Sequence, residues 1–150
     1  MDTIKLEKII NSIFEVLEDE ISSYRNSSED WRISEGNVAI CIITEEGKIY
    51  GKLFGNDQLK QRPFFRIAWQ KASQVWITGY KTGDYEKIVF GVEMNPEDSP
   101  IELPDLIGWV GGQPIQIASD TLLSIGFSGF RGFNDIEIVQ KAIQKVAPKI

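Results

Sequence analysis

LLSIGFSGFRGFNDIEIVQKAI, residues 122–143, is the stretch on which the fold turns. An apolar run meets Gly126, Gly129 and Gly132, spaced three apart with Ser128 and Arg131 between them, and passes directly into a helix-like pattern. It can be read as a phosphate cradle, a catalytic serine turn or a tight join of strand to helix. The phosphate reading lacks the Lys-Ser/Thr ending of a P-loop, and its glycine steps of three and three differ from the two and three of the dinucleotide fingerprint. The nucleophile reading fails because Gly129 directly follows Ser128 and the chain has no histidine to activate a serine. The join is favoured: Gly126 lets a helix approach the strand, while Gly129 and Gly132 take turn conformations that other residues resist.

TLLSIGFSG pairs with QPIQIA across Ser119 and Asp120, and NDIEIVQKAIQKVA is a closing helix. Asn134 and Glu137 have the spacing of a capping box, and Pro148 ends the helix. At the other end, Leu6, Ile10, Ile13, Leu17 and Ile21 form one apolar stripe on a helix from Asp2 to about Tyr24, followed by a polar loop, RNSSED. NVAICIIT and KIYGKLFG form a hairpin around Gly47. A helix with Pro63 in its first turn carries Phe64, Ala68, Ala72, Val75 and Trp76 on one stripe and ends near Thr78, with Gly79 as its cap. KTGDYEKIVFG suggests a short helix capped by Asp84, and VEMNPEDSPIELPD, rich in proline, an ordered excursion or lid. The order helix, hairpin, helix, excursion, hairpin, helix predicts an α+β fold: one domain over 1–150, an antiparallel sheet flanked by helices.

The 150 residues carry 16 Lys+Arg against 22 Asp+Glu, a net charge of -6, which repels phosphate backbones and anionic lipid. Neither nucleic acid nor a membrane is expected as a partner. The single cysteine, Cys41, lies in an apolar run and reads as a small buried hydrophobe in a reducing, cytoplasmic setting. With no histidine, His-based triads and His metal ligands are excluded, and one cysteine is too few for structural zinc or iron-sulfur ligation. The second glycine cluster, GWVGGQP, holds either an anionic or planar ligand on its backbone N–H groups beside Trp109, or a bulge at the start of a strand. The four tryptophans and eight phenylalanines supply a pocket lining, a core or a subunit interface.

Three of these pieces, in order, resemble the GlcG/HbpS-like haem-binding family. IAWQKASQVWITG is similar to its helix with a Lys-Ala pair, here Lys71 and Ala72. GWVGGQPIQI is similar to its Gly-Gly-x-Pro segment, here Gly111, Gly112 and Pro114. LLSIGFSGFRGFNDIEIV is similar to its strand ending in Gly-hydrophobic-Ser-Gly before a helix opening with Asp, here Asp135. The resemblance covers about Leu6 to Val146 and departs where Ile136 follows Asp135 in place of an acidic residue. It implies a profilin-like fold, self-association into a homo-oligomer, and binding of haem or another planar small molecule. Without histidine, an iron ligand would come from Tyr, Met, Cys or Lys, for example Met94 or Tyr85.

The expected site lies between the Lys71 helix, the Gly111 segment and the proline-rich excursion. Lys71 and Arg131 would pair ligand carboxylates, Trp69 or Trp109 would stack, and Gly111, Gly112 and Ser128 would complete it. The expected function is a non-catalytic binding protein. The alternatives are a homo-oligomeric scaffold without a small ligand and, less favoured, an isomerase or lyase using carboxylate, Tyr or Lys.

Overall fold

The computed structural model describes residues 1–91 and 94–147. It is an α+β fold with a four-stranded antiparallel sheet in the order β2-β1-β4-β3, where β1 is Val38–Thr44, β2 Ile49–Phe54, β3 Gly112–Ala118 and β4 Thr121–Ser128. Helices α1 (Thr3–Ser23) and α5 (Gly132–Val146) cover one face, and α3 (Gln58–Thr78) covers the other. Helix α4 (Thr82–Phe90) packs against α3 and β3, and α2 (Ser28–Ser34) meets the start of α5, where Asp30 accepts from Arg131 and Asn134. Pro148 lies outside the described residues, as do Val92 and Glu93 of the excursion.

The unbroken apolar run of β1 follows from its central place, because a strand covered by helices on both faces has no solvent side. Val38, Ile40 and Ile42 join Leu123, Ile125 and Phe127 in the core beneath α1 and α5. Ala39, Cys41 and Ile43 face the other way, onto Ala68 and Ala72 of α3. The two layers differ in side-chain size, so α3 lies closer to the sheet. At Gly126 the approach is closest: a Cβ there would stand 2.1 Å from the Ala68 carbonyl oxygen and 2.7 Å from the Ala72 nitrogen. Gly129, at φ 139°, turns the chain out of β4 against Val38. Gly126 and Gly129 therefore serve helix contact and turn, whereas Gly132 is corrected: it takes no left-handed turn but opens α5, where a Cβ would stand 2.7 Å from Val110 Cβ.

Several local expectations are corrected. RNSSED is not a plain loop: a 3₁₀ turn, Tyr24–Asn26, leads into α2. The buried residues of α2 are Asp30 and Ser34, so the helix has no apolar periodicity to betray it. Helix α3 begins before Pro63, at the cap Asp57, whose carboxylate accepts from the Leu59 and Lys60 N–H groups. Pro63 thus lies inside the helix. Trp76 leaves the predicted stripe and is half exposed, while Ala68, Ala72 and Val75 are buried. Lys81, not Asp84, stands at the cap of α4.

Helix α5 starts at Gly132, two residues before Asn134, with Arg131 at the cap position. The Asp135 carboxylate reaches back to the Phe130 N–H, 2.9 Å away, and Asn134 donates to Asp30. Glu137 instead accepts from the Tyr24 hydroxyl. Among the described residues, no helix is long and apolar enough to cross a membrane.

Candidate functional site

Lys71 lies at the centre of the candidate site. Helix α3 carries it inward where the small residues of β4 leave room, and its side chain is only 2% exposed. The ammonium donates to the Phe127 carbonyl at 2.9 Å and to Asp135 Oδ2 at 3.1 Å. The second Asp135 oxygen accepts from the Phe130 N–H. Burial lowers the Lys71 pKa against the opposing pull of Asp135. Burial likewise raises the Asp135 carboxyl to about 7, opposed by Lys71 and the Phe130 N–H. A charged pair in so dry a place needs every one of these hydrogen bonds.

The pair forms the floor of a cleft of about 700 Å³. Its walls are Phe64 and Ile67 of α3, Trp109 and Val110 of the loop before β3, Phe130 of the turn after β4 and Phe133 in the first turn of α5. Ser128 adds a hydroxyl, and Ile33 of α2 closes one end. The volume suits a drug-sized or cofactor-sized molecule, and the lining has the usual make-up of such sites: apolar walls with a few polar groups.

Gly111 and Gly112 pack directly behind Lys71. At Gly111, with φ 135°, a Cβ would stand 2.4 Å from the Lys71 ammonium, so only glycine lets the chain cross there. The Gly111 carbonyl accepts from the Phe127 N–H at 3.0 Å. Thr82, fully buried on α4, donates to the Trp109 carbonyl at 2.6 Å and accepts from the Gly112 N–H at 3.3 Å. These bonds fix the loop that carries Trp109, and the sequence offered no sign of Thr82's part in it.

The structure brings together Lys71, Trp109, Gly111, Gly112 and Ser128 but not the other two expected residues. Trp69 projects from a different side of α3 and lines a separate cavity. Arg131 is tied to Asp30 through its backbone N–H at 2.7 Å and its guanidinium at 3.2 Å. Lys71, too, is committed to Asp135 rather than free to pair a ligand carboxylate. Burial raises the Asp30 carboxyl, but the bonds from Arg131, Ser27 and Asn134 outweigh it and hold the group down at about 2. The excursion walls the second cavity rather than this cleft.

Met94 and Tyr85, the suggested iron ligands, pack with Val89, Ile101 and Leu106 in a small core of their own. The Tyr85 hydroxyl lies 2.7 Å from Ser99 Oγ. Cys41 is buried beneath α3. Among the described residues, no group of three or more His, Cys, Asp or Glu could hold a metal ion.

No family model matches the sequence, and no curated protein matches it. Solved structures do. The Klebsiella pneumoniae protein ORFY, assigned to the DUF336 family, superimposes with a TM-score of 0.69 over 93% of this chain and 88% of its own, at 14% identity. The chain has the fold of a DUF336 protein. PduOC, solved as a haem complex, matches with a TM-score of 0.64 over 91% of each chain at 15% identity. HbpS matches with a TM-score of 0.52 over 91% of this chain and 86% of its own at 14% identity. The DUF336-like frame therefore extends over nearly the whole chain, with the cleft at one end of its sheet.

Proposed function

We propose that this protein is a GlcG/HbpS-like binding protein that takes a planar, largely apolar small molecule of the haem class in the cleft above Lys71 and Asp135. The observation that carries the reading is the cleft itself: about 700 Å³, walled by Trp109, Phe130, Phe133 and Phe64, with polar groups only at its floor. Trp109 and Phe133 are 66% and 60% exposed, so flat apolar surface is already presented at the rim. The haem seen in PduOC, a protein of the same fold, supports this ligand class.

The residues fit the plane of a porphyrin better than its iron. The lining contains no His, Cys, Met or Tyr, and its one amine, Lys71, is engaged by Asp135. We therefore take ligand recognition to rest on stacking and burial, without an axial ligand. The protein is read as a cytoplasmic, single-domain homo-oligomer without catalytic function. Absorbance titration with haem and with metal-free protoporphyrin, run beside size-exclusion light scattering, tests the reading. Saturable binding of both with similar affinity is expected. A stable oligomer that binds neither would favour the scaffold, for which the exposed rim aromatics would be subunit contacts.

A further inference from the structure

The second cavity, about 370 Å³, lies on a different side of α3 and shares no lining residue with the cleft. Trp69 and Trp76 stand roughly two turns apart on the helix, about 10 Å along its axis. Trp76 also rests beside Gly47 at the tip of the β1–β2 hairpin. Ile43 and Ile49 of that hairpin form one wall, and the segment from Pro100 to Asp105 forms the facing one. The facing wall is anchored. Gln74, 2% exposed, uses both ends of its amide on the backbone of Ile107, donating to the carbonyl and accepting from the N–H, each at 2.8 Å.

The charge of this cavity has one sign. Its ionisable lining residues are Glu102 and Asp105, both exposed, and no lysine or arginine lines it. Neither carboxylate forms a salt bridge among the described residues. The whole chain is net negative at -6, so the surrounding field also favours cations. Indole faces are the best aromatic partners for an organic cation, and nearby carboxylates add attraction while excluding anions.

We propose that this cavity is a binding site for a small hydrophobic cation, an aryl- or alkylammonium, held by Trp69 and Trp76 and by the carboxylates of Glu102 and Asp105. The apolar part of the ligand lies against Ile43, Ile49 and Ile77, and its charged head faces the Pro100–Asp105 wall. Gln74 is a positioning residue that holds that wall over the helix. A second copy of this chain is the competing occupant, since half-exposed tryptophans also serve interfaces.

The probe is benzyltrimethylammonium, whose charge does not depend on pH, compared with its neutral isostere neopentylbenzene and with the anion 3-phenylpropanoate. Binding to the full chain is followed by calorimetry and by the indole N–H signals in the NMR spectrum. Saturation at one cation per chain is expected, with shifts at Trp69 and Trp76 and not at Trp109. The neutral isostere should bind at least tenfold more weakly and the anion not at all.

Glu102→Gln/Asp105→Asn, which changes exposed groups only, should lower cation affinity at least tenfold with the melting temperature kept. Trp76→Phe should weaken it and leave binding in the Lys71 cleft unchanged. No saturable binding to wild type, equal binding of the neutral isostere, or full affinity in the double carboxylate variant would each overturn the proposal. So would dissociation of an oligomer by Trp69→Ala/Trp76→Ala together with failure of the cation to compete for that surface, since the occupant would then be a second copy.

Discussion

Lys71 Nζ and Asp135 Oδ2 meet at 3.1 Å across 64 residues of sequence, and each side chain is only 2% exposed. The contact joins α3 on one face of the sheet to α5 on the other, around the end of β4. Removing one partner strands the other, which is far costlier than removing both. At pH 8, Asp135→Asn should lose about 3–5 kcal/mol of stability, whereas Lys71→Met/Asp135→Leu should stay within about 1 kcal/mol of wild type or exceed it. Urea denaturation of the three proteins checks this, and equal losses in the single and double variants would contradict it.

The same carboxyl sets a pH dependence. Burial raises Asp135 to about 7 in the folded chain, above the ~3.9 of an unfolded aspartate. The folded state therefore holds this proton more tightly than the unfolded state. Its contribution is complete below ~3.9 and is lost as pH rises toward about 7. Carbon NMR of the Asp135 carboxyl should show a midpoint near neutrality, and a midpoint below 4 would refute the assignment. Thermal melts from pH 5 to 8 should lose that part of their slope in Asp135→Asn.

Asp30 has the opposite sign. Held at about 2 by Arg131, Ser27 and Asn134 in spite of its burial, it contributes stability that is present above ~3.9 and is lost as pH falls toward about 2. The difference amounts to about 2–3 kcal/mol. Asp30→Asn should flatten the acid limb of the stability curve and loosen α2 from the β4–α5 turn. Faster amide exchange at Arg131, whose N–H donates to Asp30, would report that loosening.

Gly126→Ala tests how α3 is seated. The added Cβ would meet backbone on two sides, the Ala68 carbonyl oxygen at 2.1 Å and the Ala72 nitrogen at 2.7 Å, and backbone cannot swing aside as a side chain can. The cost should reach the upper end of the overpacking range, about 3 kcal/mol. Because Lys71 lies between those contacts, ligand affinity in the cleft should fall with stability. Chemical denaturation and the porphyrin titration together check both effects.

How far the sequence is legible follows from which residues supply the burial. Helices α1 and α5 bury apolar side chains at helical spacing, and β1 and β4 are short, nearly unbroken buried runs covered on both faces, so all four are plain. Helix α2 was hidden because what it buries is Asp30 and Ser34, whose hydrogen bonds appear only when α5 is in place. In the cleft, Lys71, Trp109, Gly111, Gly112 and Ser128 carried local motifs. Asp135 as the partner of Lys71, and Thr82 as the brace of the Trp109 loop, depend on contacts between distant segments. Trp69 and Arg131 lie away from the cleft for the same reason. Spacing puts them near the right motifs, but the turn of α3 and the carboxylate of Asp30 decide where they go.

Cys41 provides a check on the layer beneath α3. It is fully buried between β1 and that helix, and burial pushes its thiol up to about 12. A thiol that neither ionises near neutrality nor reaches solvent is a poor nucleophile. An aromatic disulfide reagent at pH 8 should therefore leave the native protein unmodified for as long as it stays folded, and should react with one thiol per chain in urea. Prompt reaction in buffer would mean that α3 lifts from the sheet.

Trp109 separates binding from folding at the cleft. Its side chain is 66% exposed, and the loop that carries it is held through its backbone, by Thr82, rather than through the indole. Trp109→Ala should therefore change stability by no more than about 0.5 kcal/mol, as a surface substitution does. If the indole stacks on a planar ligand, affinity for protoporphyrin should fall about tenfold, equivalent to 1.4 kcal/mol. Phe133→Ala, on the opposite rim, should behave alike, and the double variant should lose more than either. Titrations beside melting curves distinguish the cases. Unchanged affinity in both variants would remove this cleft as the ligand site, whereas a loss of stability equal to the loss of affinity would show that the aromatics belong to the fold and not to recognition.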